Sequence, residues 1–337
     1  MCGGTLSGVP PPVSTARPTG GTTTSDLITL ALGTLLLYLG GEALVRSAIR
    51  LSSQWGVKPM VIGLTIVAFG TSAPELFASL LAALRGTTDL TIGNVIGSNT
   101  ANIGLILGVT ALISPIRTHA MFIRREVPFM LGVAVVLLAL VLTGNIGRLA
   151  GASLLGLTAL YLVVLLHGGE APDVEQEFNR EYGEERRAPS LLPWLGLGAG
   201  LLLLSGGAHL LVNGASGIAR SLGIAELTIG LTMVAVGTSL PELFTSVVAA
   251  LRQEPDIALG NVVGSNILNV LFVLGASALA RPLPIAAGSG VIWDVAVMLG
   301  FSLLLIPFLL TGLRLARREA ALLLAAYAGY VVYLFAT

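Results

Sequence analysis

The chain is 337 residues long, 54% hydrophobic and only 11% charged, with a mean hydropathy of +0.89. A soluble domain carries about 25% charged residues, so soluble enzymes are excluded and a polytopic membrane protein is expected. Eighteen basic residues balance eighteen acidic ones, which argues against a nucleic-acid partner, because phosphate binding needs a clustered basic surface.

Residues 1–25 are rich in Thr, Pro and Gly, lack the charged start and apolar core of a secretory signal, and read as a disordered tail. Cys2 is the lone cysteine, so no internal disulfide forms and no Cys/His zinc site is expected. A spanning helix needs about 20 largely apolar residues. Ten segments qualify: 26–51, 57–84, 90–113, 121–143, 146–167, 190–220, 224–251, 257–280, 290–312 and 319–336. Five lie within a first unit, 26–167, and five within a second, 190–337. Between them, the linker 168–189 holds seven acidic and three basic residues. It lacks the spacing of an EF-hand and reads as a solvated cytoplasmic connection.

The two units are copies. Adding 167 to each number from Gly56 to Leu112 gives the matching residue without a gap, and about 30 of the 52 positions from Val61 to Leu112 are identical to their partners. Such self-similarity marks an internal repeat. Five helices is an odd number, so the second copy enters the membrane from the opposite side, giving inverted repeats. The basic residues agree. Loops after the odd-numbered spans hold Arg46, Arg50, Lys58, Arg117, Arg124, Arg125, Arg180, Arg186, Arg187, Arg252, Arg314, Arg317 and Arg318, while the other side holds only Arg17, Arg85, Arg148, Arg220 and Arg281. Thirteen against five places the first side in the cytoplasm and both termini outside.

The second span carries Gly70-Thr-Ser-Ala-Pro-Glu75, and the seventh carries Gly237-Thr-Ser-Leu-Pro-Glu242. A carboxylate at bilayer depth costs several kcal/mol and persists mainly beside a cavity or an ion path. Pro74 removes a backbone donor, so the helix is expected to break there and free carbonyls near Ala68 and Phe69. Thr71, Ser72, Glu75 and Ser79 share one helix face by their spacing; Ala235, Thr238, Ser239, Glu242 and Ser246 repeat the pattern. The third and eighth spans open with Gly93-Asn-Val-Ile-Gly-Ser-Asn99 and Gly260-Asn-Val-Val-Gly-Ser-Asn266. Ser98 faces the same way as Asn102, and Ser265 the same way as Asn269. Oxygen-only donors of this kind suit hard cations such as Ca²⁺ and Na⁺. Glu42 and His209 sit at similar points of the first and sixth spans and read as vestibule residues or satisfied buried polar groups. Asp294 reads as a helix-start cap.

These duplicated motifs resemble the α-repeats of the cation/Ca²⁺ exchanger superfamily, and most closely its prokaryotic Na⁺/Ca²⁺ exchangers, over residues 27–336. The resemblance implies a ten-helix fold whose second, third, seventh and eighth helices surround four cation sites. It also implies alternating access by sliding of the first and sixth helices. Glu75 and Glu242 match the central calcium carboxylates. Thr71, Ser72, Thr238 and Ser239 match adjoining ligands, with the carbonyls of Ala68 and Ala235. Ser98 and Ser265 match flanking sodium ligands, and Asn102 matches the amide of the first repeat. Asn269 departs from the pattern, standing where several exchangers carry an aspartate.

The expectation is therefore an all-α inner-membrane antiporter, monomeric and without a cofactor, that exchanges Ca²⁺ for Na⁺. Ca²⁺/H⁺ exchange, with protons taken up by the two glutamates, is an alternative within transport, and a cation channel is one of another class. An intramembrane enzyme is disfavoured, because the sequence offers no nucleophile–base pair.

Overall fold

In lipid the backbone must satisfy its own hydrogen bonds, so apolar segments of this length fold as helices. The computed structural model describes residues 22–167, 190–224, 226–286 and 290–336, with the backbone alone within 226–235. Every predicted span is helical. The helices are α1 (Thr22–Trp55), α2 (Pro59–Thr71), α3 (Ala73–Arg85), α4 (Thr88–Ile113), α5 (Ala120–Leu142), α6 (Arg148–His167), α7 (Leu192–Ser221), α8 (Glu226–Leu251), α9 (Pro255–Ala280), α10 (Val291–Leu310) and α11 (Arg317–Ala336). Among the described residues seven helices are long and apolar enough to cross a membrane, and the bent pair α2–α3 makes an eighth. Helix α1 begins at Thr22, inside the predicted tail; residues 1–21 and the predicted linker 168–189 lie outside the described residues.

Burial sorts the helices by composition. Helix α9 is 94% buried and α4 72%, against 28–39% for the other long spans. Both carry the Gly-Ser-Asn segments, whose amides and hydroxyls cannot face hydrocarbon without partners. Helices α2, α3 and α8 flank this pair. Helices α5, α6, α10 and α11 close the far side and share its larger apolar cluster, which includes Ile103, Leu137, Leu271 and Leu305. A second cluster, with Leu37, Leu44, Leu204 and Val248, joins α1 and α7 to α8.

Helices α1 and α7 pack antiparallel along much of their length. A Cβ on Gly33 would meet the Gly207 carbonyl at 2.8 Å, one on Gly40 the Gly200 carbonyl at 2.9 Å, and one on Gly214 the Asp26 carbonyl at 2.7 Å. Glycine at these crossings lets the two backbones touch. Two short ladders complete the fold: β1 (Ile116–Arg117) pairs antiparallel with β4 (Arg314–Leu315), and β2 (Asn145–Ile146) with β3 (Leu283–Pro284). Each ladder ties one repeat to the other.

The adjacent glycines of α7 separate packing from exposure. A Cβ at Gly207 would sit 2.7 Å from the Leu37 backbone nitrogen, whereas one at Gly206 would meet nothing within 4 Å. Gly207→Val is expected to cost about 1–3 kcal/mol through overpacking and to lower the thermal midpoint in detergent. Gly206→Val is expected to leave it within experimental scatter. Equal midpoints for the two variants would refute the close α1–α7 contact.

Candidate functional site

The two glutamates meet at the centre of the helix packing. Glu75 and Glu242 are each 1% exposed, and each lies within Coulomb range of the other. Pro74 and Pro241 produce different backbones around them. At Pro74 the helix breaks: Ser72 leaves helical geometry with ψ of 6°, and α2 and α3 diverge by 45°. Pro241 sits inside α8, which runs unbroken from Glu226 to Leu251, so the second copy of the motif does not break its helix. The predicted release of the Ala68 carbonyl is corrected. It accepts from the Ser72 N–H at 3.0 Å, in the ordinary helical pattern, leaving a cation only a share of its oxygen. Ala235 lies in the stretch whose side chains are outside the described residues.

Contacts across the repeats fix the hydroxyls. Ser72 Oγ donates to Glu242 Oε1 at 3.2 Å, and Thr71 Oγ1 to Asn261 Oδ1 at 3.0 Å. Thr238 bonds to Glu75 from the other repeat. Asn94 Nδ2 reaches Ser79 Oγ at 2.9 Å and the Glu75 carbonyl at 3.4 Å. Its partner Asn261 reaches Ser246 Oγ at 3.0 Å and the Glu242 carbonyl at 3.3 Å. Each glutamate-bearing helix is thereby clamped to the helix that follows it.

A second layer lies between α4 and α9. Asn99 Nδ2 donates to the Asn266 carbonyl at 3.0 Å, and Asn266 Nδ2 returns a bond to the Asn99 carbonyl at 3.3 Å. Asn102 Nδ2 donates to Asn266 Oδ1 at 2.9 Å, and Asn269 Nδ2 to Asn99 Oδ1 at 3.0 Å. The reciprocity makes a local two-fold axis visible in the hydrogen bonds. At Asn102 and Asn269 the backbone passes into the π-helical turns Asn102–Leu107 and Asn269–Leu274. The wider π turn re-aims the side chain that opens it, and such turns recur at functional sites.

Several buried oxygens around the glutamates have no partner, as do others elsewhere in the molecule, Thr110, Thr118 and Tyr161 among them. Glu75 Oε2, Glu242 Oε2, Ser239 Oγ, Ser265 Oγ, Asn102 Oδ1 and Asn269 Oδ1 are buried without a hydrogen-bond partner. All six belong to residues singled out as cation ligands in the sequence. A buried acceptor left unpaired costs about 1–3 kcal/mol, and an oxygen-binding cation removes that cost. Ser98 is buried at 6% exposure. The π turns of the amide layer also pack directly against the glutamate-bearing helices, Asn269–Leu274 against α3 and Asn102–Leu107 against α8.

Sequence reasoning missed Asn99 and Asn266 as individual residues. They stand last in the quoted Gly-Asn-x-x-Gly-Ser-Asn segments, and their duplication was the available signal. The outer polar residues find partners of their own. Glu42 is the satisfied polar group, one of its two sequence readings: Arg252 grips it from the end of α8, with Nε at 2.8 Å, and Arg46 joins from α1. His209 pairs with Asn213 one turn away at 3.0 Å. Asp294 does not cap α10 but accepts the Tyr330 hydroxyl of α11 at 2.9 Å.

The family model described as sodium/calcium exchanger protein matches twice, over residues 25–167 and 192–336, which finds the duplication independently. The sodium/calcium exchanger MaX1 of Methanosarcina acetivorans is 35% identical, over 93% of this chain and 99% of that one. The inner membrane protein YrbG of Escherichia coli is 39% identical over 75% of this chain and 79% of its own length. A solved structure of the sodium-calcium exchanger NCX_Mj superposes with a TM-score of 0.78 at 32% identity, covering 93% of this chain and 99% of that one. These exchangers are transporters rather than enzymes. With both halves of the chain matched and the fold shared, the protein belongs to the sodium/calcium exchanger family of membrane cation antiporters.

Proposed function

We propose that the chain exchanges Ca²⁺ for Na⁺ by alternating access, with Glu75 and Glu242 as the central ligands. The carrying observation is the pair of buried carboxylates, each with one oxygen free of hydrogen bonds. Two negative charges match one Ca²⁺ or two Na⁺, so the same centre stays neutral with either cargo. Thr71, Ser72, Thr238, Ser239 and the Ala68 and Ala235 carbonyls complete the inner shell. Ser98, Ser265, Asn102 and Asn269 serve the flanking Na⁺ positions. The cargo ions are substrates; the reading requires no cofactor, and the protein acts as a monomer.

The same reading takes α2–α3 as one span, giving ten spans in two inverted repeats. Contacts between connections support it. Both ladders pair connections assigned to one side of the membrane: β1 and β4 follow the third and ninth spans, and β2 and β3 the fourth and eighth. Arg281, after the eighth span, donates to the Leu84 carbonyl near the end of the second at 3.2 Å. The antiparallel α1–α7 pair supports inversion. The excess of basic residues after odd-numbered spans places that side in the cytoplasm, in a cytoplasmic (inner) membrane, with both termini outside. Cysteine reporters at Gly169 and Thr337 are expected to label from opposite faces, Thr337 from outside. Labelling of both from one face would overturn the inverted arrangement.

In purified vesicles an imposed Na⁺ gradient is expected to drive Ca²⁺ uptake that a protonophore does not abolish. Uptake that follows a pH gradient alone would favour Ca²⁺/H⁺ exchange, and current without a counter-ion would indicate a channel. Glu75→Gln and Glu242→Gln each remove one of the two charges that offset dehydration of a divalent ion. Each is expected to lower exchange by more than the roughly 10- to 100-fold typical of an outer-shell partner. Near-normal flux from a correctly inserted variant would remove that glutamate from the ligand set.

Position 269 tunes the site. Its Nδ2 is tethered to Asn99 while its Oδ1 is unpartnered, so the amide presents a neutral oxygen to the centre. Asn269→Asp replaces the tethered donor with an acceptor facing Asn99 Oδ1 and adds a charge. That variant is expected to shift Na⁺ dependence or ion selectivity, and Asn102→Gln to shift them less. Identical ion profiles for wild type and Asn269→Asp would place position 269 outside the ion path.

A further inference from the structure

The β1–β4 ladder places Arg117 directly opposite Arg314. Like charges at facing positions destabilise a ladder, and among the described residues neither guanidinium has a carboxylate partner. The ribbon itself does not require them. Its counterpart in the other repeat arrangement, β2–β3, has Asn145 opposite Pro284 and keeps the same inward apolar pair, Ile146 and Leu283. The arginine pair is therefore particular to one face of the molecule.

The ladder borders a cleft of about 430 Å³ lined by Arg117, Thr118, His119, Gly312, Leu313 and Arg314. Thr118 is 6% exposed, and its hydroxyl oxygen is buried with no hydrogen-bond partner. Its backbone N–H is already committed to the Leu313 carbonyl at 2.9 Å. Leu313 holds a φ of 51° after Gly312 at 82°, a conformation that is unfavourable for a branched side chain. One rim carries the opposite sign, where His119 Nε2 lies 3.8 Å from Asp256 Oδ1.

We propose that this cleft binds a phosphate group, carried by the headgroup of an anionic phospholipid. Each guanidinium offers a planar fork of donors suited to phosphate oxygens, and an anion between Arg117 and Arg314 turns their repulsion into attraction. Lipid is favoured over free phosphate because the cleft adjoins apolar side chains that remain uncovered: Leu310 is 60% exposed and Leu313 41%. Basic pockets at the cytoplasmic ends of membrane helices bind anionic headgroups on this physical basis.

The test uses the full chain purified in detergent and titrated with phosphatidylglycerol or phosphatidylcholine, with bound lipid counted by native mass spectrometry. Wild type is expected to retain phosphatidylglycerol selectively. A basic side chain near an anionic surface is worth about fivefold in affinity, so Arg117→Gln with Arg314→Gln is expected to weaken retention by about 25-fold. Arg314→Gln alone, about fivefold, covers the case in which the double variant inserts poorly. Inorganic phosphate separates the sources. Thermal stabilisation of wild type by phosphate, with no selectivity between the two lipids, would assign the cleft to a free anion and overturn the lipid proposal. Equal phosphatidylglycerol retention by wild type and both variants would overturn it outright. Neither readout depends on ion flux, so the outcome is independent of the exchange reading.

Discussion

Two carboxyl groups brought together away from water dominate this structure. At an effective dielectric of 20, unit charges 4 Å apart interact by about 4 kcal/mol, and desolvation adds several kcal/mol for each ion. Among the described residues no basic group offsets Glu75 and Glu242 directly: their partners are Ser72, Thr71 and Thr238, together with backbone. Neutral hydroxyls orient a carboxylate without cancelling its charge. In the proposed exchange a positive cargo supplies the offsetting charge, and the surrounding helices are the frame that holds the two carboxyl groups in place for it. The frame is stiff where it must be. Asn94 and Asn261 clamp the glutamate-bearing helices to α4 and α9, and Asn99 and Asn266 lock those two helices to each other.

The tethered amides show how a site can prepare oxygens for a cation. An amide has a donor end and an acceptor end. In Asn102 and Asn269 the donor end is spent on a neighbouring asparagine, so only the carbonyl oxygen is left to face the centre. The π turns that begin at these residues contribute to the same result, because each inserts an extra backbone step where the side chain must turn inward. An aspartate at either position would bring charge but would give up the tether. The chain therefore trades a third carboxylate for orientation.

Much of the fold was legible in the sequence because lipid imposes strict rules. Uncharged segments of sufficient length had to be helical, and the gapless repeat predicted that contacts would come in pairs, as Asn94 with Ser79 and Asn261 with Ser246 do. Less legible were features that depend on which neighbour a residue meets. The Pro-Glu motif is duplicated, yet only the first copy breaks its helix: Ser72 leaves helical geometry whereas α8 absorbs Pro241. Local sequence cannot distinguish these outcomes, since the freed carbonyl is satisfied by tertiary surroundings. Glu42 illustrates the same limit. Its partner Arg252 lies 210 positions away, and no pattern within α1 announces it.

The small residues then take on a second meaning. On α1 and α7 glycine allows two long helices to lie backbone to backbone, at Gly33 against Gly207 and Gly40 against Gly200. On α9, Gly260 and Gly264 let the backbone of α2 approach just before its break, where a Cβ would lie 2.9 Å from the Met60 carbonyl and 2.7 Å from the Leu64 carbonyl. The first set forms a glycine-lined seam of backbone-to-backbone packing; the second sits beside a dense network of asparagine and serine bonds. Packing along a smooth seam resists shear less than a directional hydrogen-bonded network does. The contrast matches the sliding of the first and sixth spans that alternating access in the proposed function calls for, with the carboxylates held by the hydrogen-bonded part.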